Sequence, residues 1–147
     1  MKPAAVFVSA IFVILCIKWN IMGIMNKIFG KASEEKETKT LPWNALHSVE
    51  QLDGIKAKST EKTQLIFKHS TRCGISRMVL NQFEKDFDLT NERLDIHFLD
   101  LLNHRDVSNE IAATFGVVHE SPQVLLIKNG VVVAHASHGA INGLPLE

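Results

Sequence analysis

The sequence predicts an α/β domain built on a mixed sheet, and three observations carry that expectation. Apolar residues recur with helix or strand period in the order α-β-α-β-α-β-β over roughly residues 48–136. A β-type run, Gln64-Leu65-Ile66-Phe67, passes through Cys73 into a helical pattern. Two apolar runs near the C-terminus are joined by Asn129-Gly130, a strong two-residue hairpin signal. The first two strands are then most simply parallel, joined through the Cys73 helix by a right-handed crossover, and the last two antiparallel.

Taken in order, the chain opens with Lys2 and an uncharged, mostly apolar run from Pro3 to Ile17. That run falls short of the roughly 18–20 residues that span a bilayer. Continuing to Met25 reaches spanning length, with Lys18 and Asn20 as polar interruptions. As a signal peptide it lacks an A-x-A-like cleavage site, and Leu15 stands before Cys16 where a lipoprotein needs a small residue. An internal start at Met22 or Met25 is the leading reading, which makes the expected location cytoplasmic. The alternative is an inner-membrane anchor made by residues 1–25. Residues 26–40 read as a charged linker, with too little apolar surface to order itself. The folded domain is expected over 41–147, beginning near Leu41-Pro42-Trp43.

Ser48, with Gln51 three residues on, predicts the start of a short helix through Val49, Leu52 and Ile55 that ends by Ser59. The central strand is placed at about 63–68, and the Cys73 helix runs to about Phe87 with Ile75, Met78, Val79, Phe83 and Phe87 on its inward stripe. Leu94 to Asp100 alternates as a second strand. Asp106 to Phe115 forms a helix with Ile111 and Phe115 inward and Gly116 as its C-cap. Pro122 to Lys128 and Val131 to Ala136 are the hairpin strands, and the short tail leaves room for little more than a turn.

The chain has 147 residues, enough for one domain with a real core and no disulfide staples. Its formal net charge is zero, so it carries no electrostatic footprint for nucleic acid. Cys16 and Cys73 are the two cysteines, and a lone thiol in the folded part points to a reducing compartment. No metal site is expected: there is no C-x-x-C, and the strand-end pair His135 and His138 would point to opposite faces.

The chemistry concentrates in Phe67-Lys68-His69-Ser70-Thr71-Arg72-Cys73-Gly74-Ile75-Ser76. A cysteine at a strand-to-helix turn meets unpaired N–H groups and the positive end of the helix dipole, which stabilise a thiolate. Lys68, His69 and Arg72 are placed to add positive potential, as at reactive thiols. Burial is the common fate of a free cysteine. Here five polar or charged residues between Lys68 and Arg72 argue against a core position.

That order, with Cys73 opening the helix and Ser121-Pro122 before the third strand, resembles the thioredoxin fold, whose cis-proline faces its cysteine. Cis occurs at only about 5–6% of X–Pro bonds, so the proline gains meaning from its pairing with Cys73. The stretches from Lys68 to Ser76, Ser108-Asn109-Glu110-Ile111-Ala112, and Gly116 to Gln123 resemble the monothiol bacilliredoxins of the YtxJ type over roughly residues 48–140. Gly74 departs from the proline many members carry, and the terminal helix of the fold is short or missing, leaving a four-stranded mixed sheet flanked by helices.

The resemblance implies a thiol-disulfide oxidoreductase that removes bacillithiol from protein mixed disulfides. Its catalytic residue would be Cys73, its partners S-bacillithiolated proteins and a low-molecular-weight thiol, with bacillithiol as co-substrate and no bound cofactor. Ser76 would support the thiolate, His69 and Arg72 would raise the potential or bind the thiol's carboxylates, and Ser121, Pro122 and Glu120 would meet the substrate. With Ser76 in place of a second cysteine, nothing resolves the mixed disulfide internally. His119, beside Glu120, is expected to shape the loop. Two other classes stand beside this one. Cys73-Gly74-Ile75-Ser76 also resembles the Cys-Gly-Phe-Ser of monothiol glutaredoxins that carry iron–sulfur clusters, and a binding module with an inert Cys73 is the third.

Overall fold

Residues 40–146 are described by the computed structural model. In chain order they form β1 (Asn44–Ala45), α1 (Gln51–Lys58), β2 (Thr63–His69), α2 (Gly74–Asp86), β3 (Leu94–Asp100), α3 (Arg105–Phe115), β4 (Gln123–Lys128), β5 (Val131–Ser137) and a 3₁₀ helix (His138–Gly143). The apolar N-terminal segment, the candidate starts at Met22 and Met25, and the linker up to residue 39 lie outside the described residues. Among the described residues no helix is long and apolar enough to cross a membrane.

The sheet has five strands in the order β1-β3-β2-β4-β5, not four. The added strand is β1, which pairs parallel to β3 through Asn44↔His97 and Ala45↔Phe98. Two residues are too few to show alternation, so no sequence pattern marks them. What holds them is tertiary: Asn44 Nδ2 donates to the Ile96 carbonyl at 3.1 Å, and Leu46 N–H to that of Phe98 at 2.9 Å. β2 and β3 are parallel, and β4 is antiparallel to both β2 and β5. Asn129 and Gly130 take φ of 52° and 78°, the left-handed pair that a two-residue hairpin turn requires.

β2 sits at the centre, and its alternation divides the core. Leu65 and Phe67 face α2, packing with Val79, Phe83, Phe87 and Ile141. Ile66 faces α1 and α3, packing with Leu52, Ile55, Val107 and Ile111. Ile141, 1% exposed, lets the short 3₁₀ helix close the α2 side where a longer terminal helix would lie.

Two local expectations shift. α1 opens with Glu50 as N-cap rather than Ser48. Gln51 still reaches back, its Oε1 accepting from His47 N–H at 2.8 Å and Ser48 N–H at 3.0 Å, so half of the expected capping box forms. On α2 the inward stripe is Ser76, Val79 and Phe83, with Phe87 as its cap, whereas Ile75 and Met78 are 56% and 66% exposed. Counting apolar side chains chose the wrong edge of the stripe because the innermost first-turn residue is a serine.

Candidate active site

β2 ends at His69, and four residues later Cys73 becomes the N-cap of α2 with extended backbone, φ −99° and ψ 120°. Its N–H donates to the Ser70 carbonyl at 3.1 Å, and its own carbonyl receives the Arg77 N–H at 3.1 Å, the first bond of the helix. The side chain is a free thiol, half-buried. A thiolate here faces the unpaired N–H groups of the first turn. Gly74 is the first helical residue, and a Cβ built on it meets nothing within 4 Å. Packing therefore does not require glycine there, and proline is well suited to that helical position.

Ser76, fully buried, does not bond the thiol. Its Oγ accepts the Ser70 N–H at 3.0 Å and pairs with His69 Nδ1 at 2.8 Å, fastening the turn before Cys73 to the first turn of α2. His69 is itself buried, packs against Phe98 with ring centroids 5.5 Å apart and tilted by 37°, and is held below the ordinary imidazole range first by burial. Burial thus disfavours its charged form, so it is a poor source of positive charge beside the cysteine. Lys68 lies on the opposite face of β2 from α2, so its ammonium does not serve the thiol either. Of the three expected basic residues, Arg72 remains, exposed next to Cys73. Arg77, which composition did not single out, donates from Nη2 to the Thr71 carbonyl at 3.3 Å and brings a second guanidinium to the turn.

The expected substrate residues reach the same end of the sheet. Register pairs Lys68 of β2 with Gln123 of β4, so the segment before β4 lies beside the end of β2 that leads to Cys73. Ser121–Pro122 is cis. Ser121 Oγ is buried with no hydrogen-bond partner, Pro122 is buried, and Glu120 is exposed with its N–H on Gln123 Oε1 at 3.4 Å. His119 shapes this loop as expected: its Nδ1 meets Lys68 Nζ at 2.8 Å and Ser108 Oγ at 3.2 Å. Lys68 and Gln123 are the residues the sequence reading left without this role. A lysine and a glutamine inside otherwise apolar strands were the available signal.

Two buried histidines set an acid limit. His69 and His97 are both held below their ordinary value, with burial the largest cause in each. The unfolded chain then binds more protons below about pH 6.5, so stability is full above that pH and falls as the folded-state values are crossed. Thermal unfolding should show a lower midpoint at pH 5 than at pH 7. An unchanged midpoint would mean these imidazoles titrate as in the unfolded chain.

Comparisons with known proteins bear on the family and the fold. The sequence model of the family described as Monothiol bacilliredoxin BrxC matches residues 44–146. A solved structure described as having a thioredoxin fold is similar at 35% identity and TM-score 0.57, covering 67% of this chain and 84% of that one. Thioredoxin from Trypanosoma brucei brucei matches at 15% identity and TM-score 0.55 over 72% of this chain and 85% of its own. Thioredoxin of Malassezia sympodialis matches at 18% and TM-score 0.54 over 65% and 78%. These last two speak to the fold alone, which is that of thioredoxin.

Proposed function

The chain belongs to the monothiol bacilliredoxin family, a family of thiol oxidoreductases, and from that premise we propose that Cys73 removes bacillithiol from proteins that carry it as a mixed disulfide. The observation that carries this reading is a half-buried thiol at a helix N-cap with serine, not cysteine, one turn on. The Cys73 thiolate attacks the bacillithiol sulfur of the mixed disulfide. A new S–S bond joins Cys73 to bacillithiol, and the protein's sulfur leaves as a thiolate that takes a proton from water. A second molecule of free thiol then attacks the adduct, restores Cys73 and departs as a low-molecular-weight disulfide.

In this reading the Ser121 backbone and Pro122 receive the extended disulfide, with Glu120 at the rim. Arg72 and Arg77 attract the carboxylates of bacillithiol, while Ser76 and His69 hold the turn. The reaction belongs in the cytoplasm, where free thiols are kept reduced.

The test incubates the full chain with a protein carrying one bacillithiol and, separately, one glutathione, and follows both by intact mass. Bacillithiol should transfer to Cys73 with recovery of the free protein thiol, faster than glutathione does. No transfer from either substrate would reject the reading. Equal rates would remove bacillithiol as the specific co-substrate.

A further inference from the structure

Lys68 is the most unusual side chain in the fold. It lies on the central strand with no exposed surface, and neither of its two partners is a carboxylate. Nζ bonds His119 Nδ1 at 2.8 Å and Gln123 Oε1 at 3.1 Å. An ammonium can only donate, so His119 Nδ1 must be unprotonated, with the ring proton on Nε2. Ser108 Oγ, from α3, donates to the same nitrogen. Gln123 relays the hold: its Oε1 also receives Glu120 N–H, and its Nε2 donates to the Val118 carbonyl at 2.9 Å. One buried nitrogen thus gathers β2, β4, α3 and the loop that carries Ser121 and Pro122.

A buried charge without a counter-ion is costly, and an apolar side chain would fill the position without that cost. We propose that Lys68 is a positioning residue for thiol exchange, its ammonium fixing the Val118–Gln123 loop in the shape that receives the disulfide and loosening it on deprotonation. This rests on the reading above that the loop meets the substrate.

Burial pushes the Lys68 amine down to about 8 from its ordinary 10.5. The titratable groups around the cluster are His119 and Glu120 in the loop and Arg105 at the start of α3. Lys68 and Arg105 push His119 down and Glu120 pulls it up. The residues in register with Lys68 on its neighbouring strands, Leu99 and Gln123, do not titrate. Charge-assisted bonds are roughly twice as strong as neutral ones, so losing the proton loosens the loop without breaking it. The sign separates this role from a merely structural one. With its pKa depressed on folding, Lys68 makes the protein more stable as pH rises from about 8 toward 10.5. Exchange should fall in the window where stability rises.

The experiment measures exchange with a bacillithiol mixed disulfide between pH 6.5 and 10, divided at each pH by the rate at which iodoacetamide alkylates Cys73, so that the thiolate fraction cancels. Full-length wild type, Lys68→Met and Gln123→Glu are compared. In the wild type the ratio should fall roughly tenfold around pH 8, the scale of one charge-assisted bond reduced to a neutral one. In Lys68→Met it should be low and flat. Gln123→Glu gives the ammonium a counter-charge, which favours the charged form, so the fall should move to higher pH. A flat wild-type ratio, a Lys68→Met ratio equal to wild type, or an unmoved Gln123→Glu midpoint would each overturn the proposal. Should Lys68→Met fail to fold, the Gln123→Glu midpoint still decides. Nitrogen NMR of His119 at pH 7 needs no turnover: the wild type should show Nδ1 bare and Nε2 protonated. A protonated Nδ1 would overturn the proposal by itself. Absent exchange with a bare Nδ1 would instead count against bacillithiol removal, and against the loop's role with it.

Discussion

Cys73→Ser should take up no bacillithiol, whereas the wild type should take up one and stop, and Ser76→Cys should pass through that adduct to an internal disulfide. This is the largest functional effect expected of any substitution here, because the attacking sulfur itself is removed. The contrast between the other two proteins comes from helix geometry. Cys73 is the N-cap and Ser76 lies in the first turn of α2, the Cys-X-X-Cys spacing at which a second thiol attacks the first. Ser76 Oγ also holds Ser70 N–H and His69 Nδ1, so the cysteine variant should lose about 1–3 kcal/mol from those buried partners. Intact mass after oxidised bacillithiol, with Cys16 replaced by serine in all three proteins, reads each outcome. The Ser76→Cys product should weigh a pair of hydrogens less than its reduced form. A Cys73→Ser protein that reacts like the wild type would end the mechanism.

Phe67→Ala should destabilise the fold by about 3–5 kcal/mol, a large share of the roughly 5–15 kcal/mol that holds a domain together. The side chain has no exposed surface. Its ring lies 5.2 Å from that of Phe83 at 62° and 5.9 Å from that of Trp43 at 75°. Removing it leaves a cavity between β2 and α2. Val133→Ala, at a site 57% exposed, should shift stability by less than about 0.5 kcal/mol. Urea unfolding of both variants measures the difference. A Phe67→Ala loss no greater than that of Val133→Ala would show that the aromatic cluster contributes little.

Those aromatic residues also mark what the sequence made legible. β2, β3 and the β4–β5 hairpin carry long apolar runs bounded by turn chemistry, so each strand lies within about a residue of its expected place. Phe83 and Ile111 declared their faces by period, and Cys73 declared itself by polar company. The missing features all depend on partners far along the chain. β1 is two residues whose hydrogen bonds come from β3. Ile75 and Met78 are apolar yet exposed, because Ser76 takes the inward position to fasten the turn. Lys68 and His69 are adjacent and both basic in composition, yet alternation sends one to His119 and the other to Ser76. Local pattern cannot assign a charge to a face when the strand is covered on both.

The central position of β2 has a consequence for how the chain is made. β2 and α2 can pair with β3 and α3 as soon as those have emerged from a ribosome. The opposite edge of β2 stays open until β4 is synthesised, because its partners Gln123 to Ile127 lie beyond α3 in the chain. His119 and Gln123 follow Lys68 by 51 and 55 residues. A nascent chain ending at Phe115 contains Cys73 and the residues of its helix, yet has neither the loop that would receive a disulfide nor the groups that solvate the buried ammonium. Reactivity of the sulfur and selection of what it reacts with are written into separate stretches of the message, and the second follows the first.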